Sequence, residues 1–287
     1  MRKVRVLVCI LFAISCVVYG AHYVKARMTA DNNVPVISFR EDVVYVDTKI
    51  AEEVLLAGVT AEDKEDGDIT KDVQIASISH LKKGNERVVE YIVFDGANHF
   101  ATATRTMVYR EYVPPRIYLK EPLRFRISEY EKRMNELEFV VEDSTDEDLS
   151  DKVRISYAND MYQVEPGKYE VLLQVNNRLG DTCVVKVNME LLDTLDNQKY
   201  YPMLSDYIVY TSVGTELDFA SYLTGVSSVA EEFLFEQEET PDGVNASRVM
   251  IDSKVDYNTP GIYEVEYSYT SRSEVTATTV LTVVVEE

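Results

Sequence analysis

Two runs of alternating apolar and polar residues, joined by a short polar turn, occur three times in this chain. They are "VVEYIVFDGANHFATATRTMVY" (88–109), "GKYEVLLQVNNRLGDTCVVKVNMEL" (167–191) and "GIYEVEYSYTSRSEVTATTVLTVVV" (261–285). Period-two alternation sorts side chains onto the two faces of a strand. A turn rich in Gly and Asn between two such runs reads as a β-hairpin. A hairpin cannot cover its own apolar face in water, so further strands must complete each copy. Aligned on the hairpins, Tyr91, Leu173 and Tyr267 are equivalent, as are Gly167 and Gly261. A shift of 80 residues also places Asp63, Asp66, Asp68, Ile69 and Val73 on Asp143, Asp146, Asp148, Leu149 and Val153. The chain is therefore internally repetitive, with a period of about 80 to 95 residues that suits an antiparallel β-sandwich.

Composition agrees. Twenty Tyr and no Trp, with many Val and Thr, favour pleated, half-buried surfaces over helices. The prolines of "YVPPR" (112–116) mark one boundary, and "LDTLDNQKYYP" (192–202) marks a looser one. The expected division is a membrane anchor or signal segment at 1–27 and three units at 28–112, 113–193 and 194–287.

The N-terminus carries Arg2, Lys3 and Arg5, then an uncharged run from Val6 to Val24 before Lys25 and Arg27. Nineteen helical residues cover roughly 28 Å, enough to cross a hydrocarbon core of about 30 Å. The segment reads as an uncleaved anchor, or alternatively as a secretory signal cut after Gly20. The lipoprotein alternative at "FAISC" has Ala13 where a larger aliphatic residue is usual. The denser basic flank places the N-terminus in the cytoplasm and the acidic body outside. With "TTVLTVVVEE" (278–287) reading as a final strand, membrane attachment is expected through the N-terminal helix.

The net charge is −21, and because residues 1–27 hold five cations and no acid, −26 falls on the rest. Such a surface repels phosphate backbones, which argues against nucleic acid as a partner. Cys183 is alone outside the N-terminal segment, so no disulfide staples the body, and it reads as a small apolar side chain on a strand. His22, His80 and His99 are too scattered for a zinc site, and no nucleophile elbow or phosphate loop is present. The expectation is a protein without enzymatic activity.

The loop "EDGDITKDV" (65–73) and the hairpin after it resemble the bacterial Ig-like repeats of surface proteins, related to the Ig-like domain of pesticidal crystal toxins. Glu65, Asp66, Gly67, Asp68, Ile69, Thr70 and Val73 carry the resemblance in the loop. Tyr91, Val93, Asp95, Asn98, Ala101 and Arg105 carry it in the hairpin. The second unit keeps "TDEDLSDKV" but has "NNRLGD" at its turn, and the third keeps only "PDG" of the loop. The resemblance implies three tandem Ig-like β-sandwich domains, a stalk or adhesion role at a bacterial cell surface, and no shared catalytic residues.

Two sets of side chains are candidates for a site. Asp63, Glu65, Asp66 and Asp68, with Asp143, Asp146 and Asp148 in the second unit, offer oxygens to calcium, which takes six to eight. The alternative is a turn in which Gly67 adopts a positive φ and the Asp side chains bond nearby amides. Tyr263, Tyr267 and Tyr269 share one face of a strand. They read either as core or as a platform stacking on sugar rings, in a module that binds a glycan or a cell-surface protein.

Overall fold

The computed structural model describes residues 2–28, 33–49, 52–82, 85–145, 148–157, 164–193, 199–228, 231–235 and 244–287. It divides into two compact units, Met1–Arg110 and Glu111–Glu287. The first begins with helix α1 (Arg2–Met28), within which Leu7–Lys25 has a mean hydropathy of 2.1 and no buried residue. That length and apolarity suffice to cross a membrane.

Strands β1 (Val36–Phe39), β2 (Val43–Val46), β3 (Val59–Asp63) and β4 (Gly67–Asp68) follow, with the short helix α2 (Glu52–Leu56) between β2 and β3. Next come β5 (Gln74–Ile78), β6 (Glu86–Phe94) and β7 (Phe100–Tyr109). One sheet has the order β1-β3-β4 and the other β2-β7-β6-β5. In the second, β2 runs parallel to β7 while the other neighbours are antiparallel.

The second repeat contains β8 (Arg116–Tyr118), β9 (Arg124–Arg126), helix α3 (Tyr130–Asn135), β10 (Val140–Glu142), β11 (Arg154–Tyr157), β12 (Gly167–Asn176) and β13 (Thr182–Leu192). The third contains β14 (Tyr201–Leu204), β15 (Ile208–Ser212), β16 (Leu223–Ser227), β17 (Glu232–Leu234), β18 (Val249–Ser253), β19 (Gly261–Thr270) and β20 (Thr276–Glu286). Their four-stranded sheets, β11-β12-β13-β9 and β15-β20-β19-β18, reproduce the first. In both, an early strand lies parallel to the last one, β9 on β13 and β15 on β20. The same order and the same single parallel edge thus occur three times, which makes the body a tandem array of Ig-like sandwiches.

The equivalences read from the sequence hold in space. Tyr91, Leu173 and Tyr267 are fully buried at the centres of β6, β12 and β19. The hydroxyl of Tyr91 donates to the Leu55 carbonyl and that of Tyr267 to the Phe219 carbonyl, both at 2.8 Å. The ring fills the core and its hydroxyl satisfies a carbonyl in the connection from the opposite sheet. Leu173 keeps the burial and gives up the bond. Burying each such side chain stabilises the fold by about 1.5–3 kcal/mol.

The three hairpin turns share one design as well. Asp95, Asn177 and Ser271 each send the backbone N–H to the carbonyl four residues on, His99, Asp181 and Val275, at 3.0, 3.0 and 2.9 Å. Their side-chain oxygens accept amide bonds inside the same turns. The left-handed position falls on Asn98 (φ 67°), Gly180 (φ 83°) and Glu274 (φ 62°).

Within Glu111–Glu287 the second and third repeats share one core. Ile117, Met189 and Leu191 belong to the same buried cluster as Ile208, Leu281 and Val283. Tyr207 N–H donates to the Leu119 carbonyl at 2.8 Å, and Tyr210 Oη accepts from Ile117 N–H at 2.9 Å. Arg116 pairs with Glu286, and Asn188 Nδ2 donates to Glu264 at 2.9 Å. Residues 194–198 of the connector lie outside the described residues, but the sheets on either side of it are bonded into a single body.

Candidate functional site

The acidic loop of the first repeat is built on a buried aspartate. Asp63, at the end of β3, accepts from Glu65 N–H at 2.8 Å and Asp66 N–H at 3.1 Å through one oxygen, Oδ1. Gly67 then turns with φ +76° and clear space around its Cα, as the turn reading requires. Asp68 Oδ1 accepts from Thr70 N–H at 2.9 Å, and Thr70 Oγ1 accepts from Ala61 N–H at 3.0 Å. The side-chain and backbone hydrogen bonds from Thr70 hold the Asp68 carboxyl below the usual range. Ile69 is buried and starts the short 3₁₀ turn Thr70–Asp72. "EDGDIT" is thus a side-chain-capped turn that anchors a core isoleucine.

Asp66 has a further task. Its Oδ2 accepts from Gly96 N–H at 2.6 Å, which ties the loop to the hairpin turn. A Cβ at position 96 would come within 3.0 Å of that oxygen, so the close approach suits glycine. Beside it, Asp95 Oδ2 meets His99 Nδ1 at 2.8 Å, with the Asp95 side chain wholly buried. Burial opposes ionisation of Asp95, yet the bonds from His99 and Ala97 outweigh it and leave its pKa below the ordinary carboxylate value. Glu65 accepts both of its bonds from Asn33 Nδ2, at 2.7 and 2.8 Å.

The second repeat keeps the device. Asp143 accepts from Thr145 N–H at 2.9 Å and from Asn177 Nδ2 at 3.0 Å, and Asp148 Oδ1 accepts from Ser150 N–H at 2.9 Å. Ser150 Oγ accepts from Val141 N–H at 3.3 Å, standing where Thr70 stands in the first repeat. Asp146 lies outside the described residues, as do Asp242 and Gly243 of the third repeat. Among the described residues, no group of three or more His, Cys, Asp or Glu is placed to hold a metal ion. Among the described residues of these loops, the buried oxygen left without a hydrogen bond is Asp63 Oδ2.

The tyrosine face of β19 points into the core. Tyr267 and Tyr269 are 0 and 2 % exposed, and Tyr263 is half-buried against the same core, its hydroxyl donating to the Thr259 carbonyl at 2.9 Å. Alternation sets this outcome, because the partner strand β20 lays Leu281 and Val283 on the same side. Tyr267 and Tyr269 are thus core side chains, while Tyr263 is half-buried at the edge of that core. Among the exposed aromatics are Phe94 and Phe100, 49 and 58 % exposed, a cross-strand pair beside the first hairpin turn with ring centroids 5.9 Å apart. The alternation carries their signal, since both fall on the polar-face phase of β6 and β7. Cys183 is half-buried on β13 with its Sγ 3.8 Å from Tyr210 Oη, and burial pushes its thiol pKa up.

No family model and no curated protein matches the chain. The resemblance to bacterial Ig-like repeats therefore has only the loop and hairpin residues named above behind it, and no sequence comparison supports a relation to crystal toxins. Among solved structures, the chain is similar to the M60 catalytic domain with the CBM51-1 and CBM51-2 domains of Clostridium perfringens ZmpB. That alignment has 12% identity and a TM-score of 0.22, and covers 89% of this chain and 31% of the other. Drosophila N-cadherin EC1-4 aligns at 10% identity over 90% of this chain and 76% of its own, with a TM-score of 0.23. Domains 4-9 of surface layer protein SbsC align at 13% identity over 88% and 50%, with a TM-score of 0.20. The chain spans under a third of the ZmpB chain and half of the SbsC chain. At these identities and scores the likeness adds nothing to the architecture derived from the strand pairings.

Proposed function

We propose that this chain is a non-enzymatic bacterial cell-surface module, held in the membrane by α1, whose tandem Ig-like body serves as a stalk or an adhesive surface. One observation carries the reading: an unburied apolar helix of membrane-crossing length precedes an array of sandwiches whose loop aspartates Asp63, Asp68 and Asp148 are spent on turns. Hydrogen bonds from Thr70 and Ser150 hold the Asp68 and Asp148 carboxyls below the usual range, which makes them poor proton donors and argues against acid–base chemistry at these two positions. The shared core of the second and third repeats suits a stalk, because two sandwiches that cannot hinge transmit position over a greater length. The charge of −21 keeps such a body soluble. The acidic loops act as turns in this reading, with no role for calcium.

Protease treatment of intact cells, followed by fractionation, tests the placement. The body should be digested from outside while remaining in the membrane fraction of untreated cells. A protected body, or one found in the cytoplasm, would refute the reading. A blank glycan and protein array would leave the stalk role in place and remove the adhesive one.

A further inference from the structure

At the crease between the second and third repeats lies an open cleft of about 530 Å³, lined by Arg124, Arg126, Glu129 and Arg133 on one side and Ser227 and Glu232 on the other. Its size falls within the roughly 300–1,000 Å³ of small-molecule pockets. It gathers three arginines in a protein with a net charge of −21.

The arginines are not equivalent. Arg124 is fully engaged: it pairs with Glu190 at 3.0 Å, donates to Thr278 and Thr279, and lies 3.6 Å from the centre of the Tyr201 ring. Arg133 reaches Glu121 at 3.3 Å through one nitrogen. Arg126, the last residue of β9, is half-buried and makes no hydrogen bond or ion pair with any described residue. Every other buried or half-buried arginine among the described residues has a partner. Partial burial of an unpaired cation is unfavourable, and a chain with 50 acidic residues has ample means to pair it. Strand geometry keeps the side chain there, because Arg126 pairs with Leu192 in the parallel edge of the sheet.

The other side of the balance decides the ligand. Glu129 and Glu232 line the same cleft and have no ion-pair partner among the described residues. A bare phosphate or sulfate would gain from Arg126 and be repelled by both glutamates. A sugar acid presents a planar carboxylate for the guanidinium fork and hydroxyl donors for the glutamates at once. The hydroxyl of Ser227, at the end of β16, is a further polar contact.

We propose that this cleft binds a carboxylate-bearing sugar of a polysaccharide, with Arg126 as the carboxylate anchor and Glu129 and Glu232 as hydroxyl acceptors. The proposal rests on the surface-module reading and specifies its ligand. It also places the recognition element where both repeats must be folded and joined for the site to exist.

Calorimetric titration of the full-length chain in detergent micelles tests it, with oligogalacturonate, its methyl ester and poly(glycerol phosphate) as probes. The acid should bind at least about tenfold more tightly than the ester, since one charge-assisted pair is at stake. Arg126→Gln should lose that margin and Arg126→Lys should keep part of it, neither with a lowered melting temperature, since the cation has no partner among the described residues to lose. Ser227→Ala, a smaller change at the opposite wall, should weaken the acid by a few-fold. Equal binding of acid and ester, tighter binding of the phosphate polymer, or an unaffected Arg126→Gln would each overturn the proposal. Purified protein is used, so a failure here leaves the cell-surface placement standing, and a failure of the protease experiment leaves the sugar site standing.

Discussion

Replacing Arg124 by Ala should loosen two sheets at once. Its guanidinium pairs with Glu190 on β13, bonds Thr278 and Thr279 on β20, and covers the Tyr201 ring. The side chains of Arg124 and Glu190 are only 13 and 21 % exposed, so water screens the pair poorly. Removing one partner of a buried pair costs about 3–5 kcal/mol, and the residual exposure places this case near the lower end, at about 3 kcal/mol. At 1.4 kcal/mol per factor of ten, hydrogen exchange governed by opening of the shared core should speed up roughly a hundredfold. Hydrogen-exchange mass spectrometry of the full chain resolves this peptide by peptide. Peptides from β12–β13 and β19–β20 should accelerate together, while β6–β7 in the other compact unit should not change. Acceleration confined to one of the two hairpins would refute the claim that the second and third repeats open as one body. Arg124→Lys, which keeps the charge and loses the fork, should fall between the two.

Glu274 occupies a left-handed turn position that Gly180 fills in the second repeat, so Glu274→Gly should stabilise the protein by about 0.5–1 kcal/mol, read as a raised melting temperature. Gly225→Ala should do the reverse by about 1–3 kcal/mol, because a Cβ there would sit 2.3 Å from the Phe233 carbonyl oxygen on the paired strand. Asp68, Asp95 and Asp148 have folded pKa values below their unfolded ones. Their contribution is therefore complete above about pH 4 and lost as pH falls through the folded values, so Asp68→Asn should flatten the acid limb of a melting-temperature profile. Because the loop carboxylates bond amides, calcium added to chelator-treated protein should leave the melting temperature unchanged, and a clear rise would return the loops to the metal reading.

Much of the architecture was legible because a strand reports its faces with period two. Tyr91, Leu173 and Tyr267 could be matched by counting, and the structure buries all three at the same point of the same sheet. The 80-residue shift likewise recovered two turns that share their capping bonds, Asp68 with Thr70 and Asp148 with Ser150. Such local geometry is written by neighbouring residues: an Asp two before a Thr or Ser, and a glycine where φ must be positive.

Which face of β19 meets the core is a different kind of question. Alternation says that Tyr263, Tyr267 and Tyr269 lie together, and only packing against β20 and the opposing sheet places them inside. The union of the second and third repeats was equally unreadable, because its bonds join residues far apart in the chain, such as Arg116 with Glu286 and Arg124 with Thr279. Nothing in the sequence marks Arg126, since an arginine between Phe125 and Ile127 is ordinary in an alternating strand. Its meaning depends on having no partner among the described residues in a cleft formed by two repeats, a property of tertiary placement alone. The sequence by itself determined the strands, the turns and their threefold recurrence, which are governed by short-range sterics and alternation. Tertiary structure decided what is buried, what is joined and which charge is left over, because those depend on distances between segments that the chain order does not set.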